Sequence, residues 1–524
     1  MDALTVIIPL LPLIAAVILG VGLLSNTING EVGEGFTTMV ATWVISMSCL
    51  LALVLLGADL LQKNSGVFIT GDWLTSDTLT IALSFISTGF SVKLAALFAM
   101  LLLIITRFSV NYMHRETGFH RFFFILCLFS SAIFLLVLSG NALFTFIGWE
   151  ISGFCSCLLI GYAYYRPVAT TNAMRVFVTN RIGDAGFLLG LSLCYIWVGS
   201  LEWMTINKAV GDLGKGEAAA IGLCFAVAAM TKSAQLPFSP WLARSMEGPT
   251  PSSAVFYGAV MIHAGVYLLI LLEPFISQTP LIQWLLIFSG LVTALYSYLT
   301  GLTQTDIKSS QIFATTGQLG LMFLECGLGF WQLAGWHLCA HAVVRCYLML
   351  TAPSLMINLK DNPIKPVHPL LAQHNWLFIA SLQRFWVEQI ADWALVRPVR
   401  LLARDLSHFD DNVVDRLMGI PAPAIRAVAQ LAQLEETAVG ARLDEQSGTE
   451  SDRFASGTGL VGALTHGIAA FVHWFEERLV LQGVSKDTLH AGRELGHLAN
   501  KFETQVLKPR YLVLLVLITL LVAF

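Results

Sequence analysis

Long apolar runs separated by short polar breaks make up the first two-thirds of the chain. Each run has about 20 residues, the length that a helix needs to cross a hydrocarbon layer roughly 30 Å thick. Backbone N–H and C=O groups in lipid must find partners within their own segment, so such runs predict helices. The pattern predicts about twelve transmembrane helices, at residues 4–24, 39–61, 86–108, 121–139, 141–163, 173–198, 218–236, 253–273, 281–301, 308–328, 333–356 and 511–524.

The composition supports this fold class, an all-α polytopic membrane protein. Apolar residues make up 56% of the 524 residues and charged residues only 12%, whereas a soluble domain has about 25% charged residues. So little polar surface cannot cover the cores of a soluble enzyme, which excludes that class. The net charge of −4 offers no basic surface for nucleic acid. Residues 4–24 lack the basic region and cleavage site of a signal peptide, so we expect a retained first span.

The last third of the chain differs from the rest, because charged residues are concentrated after residue 356. We therefore expect three regions: a transmembrane bundle at 1–356, an amphipathic lateral segment at 357–510 and a C-terminal transmembrane anchor at 511–524. Within the second region, residues 385–406 place Trp386, Ile390 and Trp393 on one helical face. This pattern predicts a helical segment that lies along the membrane surface or a partner subunit.

One predicted span is interrupted within the membrane. Lys232 is followed by Pro237, Pro240 and the sequence Gly-Pro-Thr-Pro at 248–251, and proline breaks a helix. We therefore expect a broken helix near 232–251. Broken helices at membrane depth are tolerated where they line a hydrated cavity, and ion sites occur there.

Basic residues mark one predicted side of the membrane. Arg115 and Arg121 follow the third span, and Arg166 and Arg175 follow the fifth. Because basic loops tend to remain in the cytoplasm, we expect the N-terminus to face outward, in the periplasm.

Ionisable residues inside the predicted spans indicate a functional role, because placing a charged side chain at mid-membrane costs about 3 kcal/mol or more of free energy. Glu150 is the one charged residue between 141 and 162, and Lys232 precedes the helix break. A buried Lys/Glu pair can exchange one proton between two states, which predicts proton translocation through these two residues. The structural alternatives are a neutral Glu150 bonded to a neighbouring helix and a Lys232 that marks the end of a span.

Three histidines extend this series. His263 lies in the eighth span, and His337, His341 and Arg345 recur every four residues in the eleventh, so they share one helical face. Imidazole exchanges protons near neutral pH, which favours a proton relay. Two histidines four residues apart also have a metal-ligand spacing, but no carboxylate lies near them in that helix, so no metal is expected.

Further charged residues have weaker signals. Lys308 opens the tenth span beside Asp306, and it belongs either to the proton path or to an ion pair at the membrane surface. Arg181 and Asp184 are three residues apart in the sixth span and can neutralise each other as a supporting ion pair. Glu325 has no predicted role. The sequence has no phosphate-binding glycine loop, no iron–sulfur cysteine array and no nucleophile elbow, so we expect no cofactor and no catalytic site of its own.

Five motifs in the chain resemble one family of membrane proteins. They are Trp149-Glu150 in the fifth span, NRIGDAGF at 180–187, KSAQLPFSPWLARSMEGPTPSSA from Lys232, DIKSSQIFATTGQLGLMF from Asp306 and WHLCAH from Trp336. Over residues 80–356 the chain is similar to the antiporter-like subunits of proton-pumping NADH:quinone oxidoreductase (complex I). That family includes Mrp-type sodium/proton antiporters and the membrane subunit of DAB-type inorganic-carbon uptake complexes.

The resemblance implies roles for individual residues. Glu150 matches the key glutamate of the family, and Lys232 matches the lysine on its broken helix. Lys308 and the His337/His341 pair match the central polar axis, which passes protons between two half-channels.

Three positions depart from the family pattern. Arg345 stands where the family usually has lysine, Tyr257 where it usually has histidine, and His263 where it often has a hydroxyl residue. Arginine hardly loses its proton, so a relay through Arg345 must differ from that of the family.

The resemblance also implies helices that this sequence lacks. Members that pump protons in complex I continue into further spans with a second broken helix, whereas this chain passes from Pro353 into polar sequence. This difference favours the DAB-type subunit, which couples the proton gradient to inorganic-carbon (CO2/bicarbonate) accumulation in the bacterial cell inner membrane. Its implied partner is a zinc-containing, carbonic-anhydrase-like cytoplasmic subunit. The alternatives are an L-type complex I subunit or Mrp-type antiporter, and a structural membrane anchor.

Overall fold

The computed structural model describes residues 1–75, 80–304, 306–358 and 373–410, and it describes side chains in the third range only for 306 and 308–352. The chain divides into two compact units, of which the first is Met1–Val396 and the second begins at Arg397. The first unit thus continues past the predicted boundary at 356. The predicted anchor at 511–524 and most of the 357–510 segment lie outside the described residues.

The first unit consists mainly of helices joined by short connections. They are α1 (Leu4–Leu24), α2 (Gly30–Leu60), α3 (Gly89–Tyr112), α4 (Phe119–Leu138), α5 (Ala142–Ile160), α6 (Pro167–Val198), α7 (Trp203–Ala209), α8 (Lys215–Lys232), α9 (Pro240–Arg244), α10 (Thr250–Ser253), α11 (Ala264–Leu271), α12 (Glu273–Ile276), α13 (Pro280–Gly301), α14 (Ile307–Gly327), α15 (Trp331–Asn358), α16 (Asn375–Leu382) and α17 (Val387–Ala391).

Nine helical segments in the described ranges are long and apolar enough to cross a membrane, which confirms the predicted fold class. Two further predicted spans are helical but less apolar. They are α8, which ends at Lys232, and α14, which carries Lys308 and Glu325. Both helices therefore have polar groups that neighbouring helices must cover.

Helix α4 is the centre of the bundle, because it is apolar on all sides and its side chains are almost all buried. It packs against α1 on one side and α5 on the other. At Gly148 of α5, an added Cβ would lie 2.5 Å from the Ala132 carbonyl oxygen of α4. A side chain there would force the two backbones apart, so glycine lets α5 lie directly against α4. This contact fixes the depth and rotation of the neighbouring Glu150.

The predicted break near 232–251 lies directly after Lys232. Helix α8 ends there, and the chain resumes as the short α9 and a 3-10 turn at Ser245–Glu247. A second interruption was not predicted. Between α10 and α11 the helix passes through a π segment at Ala254–Ala259 and a 3-10 turn at Met261–His263. Such segments change the direction in which the following side chains leave the helix axis. Here they alter the direction of the His263 side chain.

A two-stranded antiparallel hairpin, β1 (Val67–Thr75) and β2 (Thr80–Ile86), also was not predicted. It is fastened to the beginning of α5, where the Asn141 side chain donates a hydrogen bond of 2.7 Å to the Ala82 carbonyl oxygen. The Asp2 carboxylate accepts a 3.1 Å hydrogen bond from the backbone of Ser65, just before β1. The N-terminus, the hairpin and the beginning of α5 therefore lie on one face of the bundle.

Residues 373–396, here called the strap, return to the opposite face. The strap consists of α16, a 3-10 turn at Arg384–Trp386, α17 and a π segment at Asp392–Val396. All three residues of that turn have positive φ angles, from 52° to 54°, so the predicted helical segment at 385–406 is interrupted here. Glu388 of the strap forms ion pairs with Arg244 of α9 and Arg384.

The described part of the second unit is a single helix, α18 (Arg397–Phe409). Pro398 is its second residue, directly after the π segment at Asp392–Val396. Its large apolar side chains are exposed, among them Leu402 and Leu406, as expected of an amphipathic surface segment.

Candidate functional site

Four charged side chains from three helices meet inside the first unit. They are Glu150 of α5, Arg181 and Asp184 of α6, and Lys232 at the end of α8, here called the charged cluster. The Arg181 guanidinium binds the Glu150 carboxylate at 2.5 Å and the Asp184 carboxylate at 2.9 Å. One arginine thus bridges two carboxylates, and with Lys232 the four formal charges balance.

Glu150 has one occupied and one open carboxylate oxygen. Oε2 contacts Arg181, whereas Oε1 is buried and has no hydrogen-bond partner among the described residues. The contact with a cationic guanidinium suits an ionised carboxylate. Oε1 therefore remains available to accept a proton or a water.

Lys232 is buried, with 1% of its surface exposed. Its ammonium donates a 2.9 Å hydrogen bond to the backbone oxygen of Trp149 and lies 4.9 Å from the centre of that indole ring. Within the described ranges no carboxylate lies at ion-pair distance from it, so the direct Lys232/Glu150 pair that we expected is absent. Arg181 instead occupies the position next to Glu150.

Trp149 connects the two halves of the charged cluster. Its indole Nε1 donates a 2.9 Å hydrogen bond to the Asp184 carboxylate, while its carbonyl oxygen and ring face Lys232. An Asp184 carboxylate that is bonded to both Arg181 and Trp149 is held in one position. The cluster is therefore a connected network and not four separate charges.

Gly153 provides the space for the Lys232 side chain. A Cβ added at Gly153 would lie 3.0 Å from the Lys232 nitrogen and 4.0 Å from a terminal nitrogen of Arg181. Any larger residue at position 153 would press on the Lys232 ammonium and shift it from its place beside the Trp149 carbonyl oxygen.

A second group of buried polar residues, here called the histidine row, consists of His263, His341 and Arg345. His263 Nε2 lies 2.8 Å from His341 Nδ1, and Arg345 Nε donates a 3.2 Å hydrogen bond to His341 Nε2. All three side chains are buried. The three therefore form a continuous hydrogen-bonded row between α15 and the segment before α11.

The donor at one end determines the direction of the bonds along this row. Because Arg345 can only donate, His341 must accept at Nε2. A neutral His341 then carries its proton on Nδ1 and donates to His263 Nε2, which leaves the His263 proton on Nδ1. That nitrogen is buried, and His263 contacts the backbone of Ala259 beyond its bond to His341. The row is thus oriented from Arg345 toward His263 and ends at the main chain.

His337 lies one helical turn from His341, with the two ring centres 6.2 Å apart. Its Nδ1 lies 2.9 Å from a Glu325 oxygen, and its Nε2 lies 2.8 Å from the Gln318 amide oxygen. Both ring nitrogens therefore face oxygen atoms of α14. The structure therefore places Glu325, for which the sequence offered no role, as the ion-pair partner of His337.

One hydrogen bond joins the chain segments that carry the two groups. The hydroxyl of Ser233, which follows Lys232, donates a 2.7 Å hydrogen bond to the Ile262 carbonyl oxygen, next to His263. Lys308 lies apart from both groups, at the beginning of α14, and the described residues include no ion pair between it and Asp306. Asp306 instead accepts a 2.8 Å hydrogen bond from the Ser309 backbone as a helix cap.

The chain is similar to two described protein families. Residues 139–369 match the family described as NADH:quinone oxidoreductase/Mrp antiporter, TM, and residues 73–123 match the N-terminus of NADH-ubiquinone oxidoreductase (complex I) chain 5. The two matched regions include every residue of the charged cluster and of the histidine row.

Individual relatives are similar over a large part of the chain. The chloroplastic NAD(P)H-quinone oxidoreductase subunit 5 of Nephroselmis olivacea is 32% identical over 382 residues, which is 70% of this chain and 57% of the relative. The NADH-ubiquinone oxidoreductase chain 5 of Rhizopus stolonifer is 34% identical over 349 residues, 66% of this chain and 53% of the relative. The chain thus spans about half the length of these curated relatives.

Two solved structures have a similar fold. The Mrp complex from Dietzia sp. contains a chain with a TM-score of 0.60 and 21% identity, covering 99% of this chain and 63% of that one. The membrane-bound sulfane sulfur reductase, an archaeal respiratory membrane complex, contains a chain with a TM-score of 0.59 and 18% identity, covering 68% and 72%.

Proposed function

Because the chain belongs to the family of antiporter-like membrane subunits shared by NADH:quinone oxidoreductases and Mrp antiporters, we propose that it conducts protons and couples the proton gradient to the chemistry of a partner subunit. The observation that carries this proposal is the position of Lys232, a cation that is buried and has no carboxylate at ion-pair distance among the described residues. A buried lysine in such a place can exist in both protonation states, as a proton carrier must.

The proposed path begins at the open Oε1 oxygen of Glu150 and continues to Lys232. From there water carries the proton to the histidine row, because the Ser233 hydrogen bond ends on the Ile262 backbone oxygen and is not itself a relay. Within the row, His263 and His341 lie 2.8 Å apart and are the proposed exchange partners. Arg345 keeps its charge and orients His341, and His337 with Glu325 continues the series. We include Lys308, near the beginning of α14, in the path on the family resemblance alone. Every step moves a proton between existing side chains or water, so no metal and no cofactor is part of the proposal.

We assign the partner reaction to inorganic-carbon accumulation, with a zinc-containing, carbonic-anhydrase-like cytoplasmic subunit as the partner. The support is that the chain after Pro353 turns to polar sequence in place of a second broken helix. The second candidate is an L-type subunit of a quinone oxidoreductase, which the similarity to the subunit 5 relatives favours. Co-purification in mild detergent separates these two: a zinc protein supports the first, and flavin and iron–sulfur subunits support the second.

We further propose that the protein lies in a bacterial inner membrane with its N-terminus outward. The support is the position of the basic residues. Arg115, Arg166 and Arg175 lie at the ends of α3, α5 and α6 that are opposite to the hairpin, and basic ends tend to stay in the cytoplasm.

The proposal is tested by proton uptake into proteoliposomes that contain the whole purified complex. We expect Glu150→Gln and Lys232→Ala each to abolish coupled uptake, because each removes a proton-carrying group. Lys215→Ala, at the exposed beginning of the same helix α8, and Asp212→Asn, in the exposed loop before it, are the matched controls and should retain uptake. Normal uptake in Glu150→Gln and Lys232→Ala would leave only the structural-anchor function.

A further inference from the structure

The strap packs against the broken segment through apolar side chains. Six of them form one cluster, here called the apolar seal: Ala243, Tyr296, Phe313, Leu236, Phe385 and Val387. Phe385 and Val387 come from the strap, and the Phe385 ring contacts the Tyr296 ring edge to face, with the ring centres 6.0 Å apart. Leu236 follows Lys232 by only four residues. A charge in such an apolar space is costly, so the apolar seal resists the passage of a proton.

Two carboxylates of the strap hold it against the bundle. Glu388 forms an ion pair with Arg244 of α9 and lies 3.8 Å from a terminal nitrogen of Arg175 of α6. Four residues later, Asp392 pairs with the same Arg175 at 2.8 Å. The strap thus connects α6, which carries two members of the charged cluster, with α9, which follows Lys232. These ion pairs are here called the latch.

The turn that places Phe385 in the apolar seal is strained. Arg384, Phe385 and Trp386 have φ angles of 54°, 52° and 53°, a region that side chains with a Cβ atom disfavour. Such a conformation persists only where the surrounding structure imposes it. Here Arg384 donates a 3.2 Å hydrogen bond to the Gln304 side chain and lies 5.4 Å from the centre of the Phe313 ring. The closed strap therefore depends on its contacts, and its release would relieve the strain.

We propose that the strap is a releasable plug. While Glu388 is bound to Arg244 and Arg175, the strap keeps the apolar seal closed at the end of the broken segment. Release of the strap removes Phe385 and Val387 from the seal and admits protons from the membrane face on which the strap lies. The closed state is described by the packing and the latch alone, whereas the movement of protons after release rests on the proposed function.

Hydrogen–deuterium exchange of the purified complex tests the latch. Glu388→Gln keeps the shape of the side chain but removes its charge. We expect the backbone amides of residues 384–392 to exchange about tenfold faster, which corresponds to about 1.4 kcal/mol lost from the closed state. Phe385→Ala, which removes a ring from the apolar seal, is the second variant and should have the same effect. Glu34→Gln is the matched control, because Glu34 is a similarly buried glutamate of α2 that pairs with His114 at 2.7 Å.

Passive proton leak into proteoliposomes that contain the whole complex, under an imposed pH gradient, tests the plug. We expect Glu388→Gln and Phe385→Ala to raise the leak about tenfold, in proportion to the open fraction, and Glu34→Gln to leave it unchanged. A disulfide should close the plug again. The Thr303 and Ser381 hydroxyls lie 3.0 Å apart, so cysteines at these positions are within reach of a disulfide. With Thr303→Cys and Ser381→Cys added to Glu388→Gln, oxidation should return the leak to the level of the unmodified complex, and dithiothreitol should raise it again.

Unchanged exchange in both Glu388→Gln and Phe385→Ala would overturn the latch. Faster exchange without a higher leak contradicts the plug alone, because coupled uptake by the unmodified complex is a separate measurement. A higher leak that persists after oxidation, with the disulfide verified by peptide mapping, would show a general loosening of the bundle and also contradict the plug. A leak that the disulfide suppresses, in a complex without coupled uptake, supports the plug and contradicts the proposed function.

Discussion

Lys232 is held by the main chain of Trp149: its ammonium lies 2.9 Å from the Trp149 carbonyl oxygen and 4.9 Å from the centre of the indole ring. The same indole donates its N–H to Asp184. A carbonyl oxygen and a ring face stabilise a cation less than a carboxylate does. The charge of Lys232 is therefore stabilised less than a carboxylate partner would stabilise it, and Trp149 contacts both Lys232 and Asp184.

Replacing Trp149 tests this connection. Trp149→Phe keeps the carbonyl oxygen and an aromatic face but removes the indole N–H, so one oxygen of Asp184 loses its donor. We expect stability to fall by about 1–3 kcal/mol, and proton uptake to fall roughly tenfold for each 1.4 kcal/mol added to the barrier of transfer. Thermal unfolding and proton uptake into proteoliposomes measure the two effects.

Trp203→Phe is the matched control. Trp203 is as buried as Trp149, at 1% exposure, and its indole N–H donates a 2.9 Å hydrogen bond to the Thr145 hydroxyl. We expect a similar loss of stability with normal uptake per folded complex. An equal loss of uptake in both variants would show that Trp149 acts only through packing.

Gly153→Ala should separate function from stability. The new methyl group would lie 3.0 Å from the Lys232 nitrogen, so the ammonium must shift by a few tenths of an ångström. Alanine in a helix is more stable than glycine by about 1 kcal/mol, so we expect the thermal midpoint to hold while proton uptake falls. Gly161→Ala, just beyond the end of α5, meets its neighbours only at 3.4 Å and should retain uptake. Full uptake in Gly153→Ala would disprove the need for this space.

The sequence revealed the charged residues of the site but not their partners. Glu150 and Lys232 stand out because an ionisable group in an apolar run is costly. Their pairing depends on the rotation of three separate helices, which no local pattern encodes. In the structure Glu150 forms an ion pair with Arg181, whereas Lys232 binds a main-chain oxygen. Glu325 of α14 pairs with His337 of the next helix, α15.

The missed elements have different physical causes. Residues 80–86 do not alternate between polar and apolar side chains, so the second strand of the hairpin had no clear signal, and its last residue was included in the apolar run that follows. The π segment at 254–259 has no comparable signal, because one additional residue per turn needs no special side chain. Long apolar helices such as α4 were predictable because length and hydropathy alone decide them.

The histidine row predicts a contrast between two buried histidines. His263 lies 2.8 Å from a second imidazole, His341, whereas His120 lies 2.8 Å from the Thr37 hydroxyl and 3.0 Å from the Gly30 carbonyl oxygen, neither of which titrates. We expect His263→Gln to abolish proton uptake with little loss of stability. Glutamine keeps a hydrogen-bonding side chain, but its amide does not gain or lose a proton near neutral pH. His120→Gln should lower the thermal midpoint, by about 1–2 kcal/mol of unfolding free energy, and leave uptake per folded complex normal. The reverse pattern would make His263 a structural residue.

Glu202 predicts a pH dependence of stability at the face that carries the hairpin. Burial raises the pKa of Glu202 above its ordinary value of 4.5, and hydrogen bonds from Ser84 and Asn141 oppose that rise. The folded protein therefore keeps this proton to a higher pH than the unfolded chain does. The resulting stabilisation is fully present below the unfolded pKa and is lost as the pH rises through the folded pKa.

Glu202→Gln removes this titration while preserving the shape of the side chain. We expect the thermal midpoint of the unmodified protein to fall relative to that of the variant as the pH is raised from about 4.5 toward neutrality. Ser84→Ala provides the second arm, because it deletes the 2.7 Å hydrogen bond that Ser84 donates to the Glu202 carboxylate. Without that donor the pKa of Glu202 rises further, so the decline in stability should shift to higher pH. Parallel curves for all three proteins would show that Glu202 does not titrate differently on unfolding.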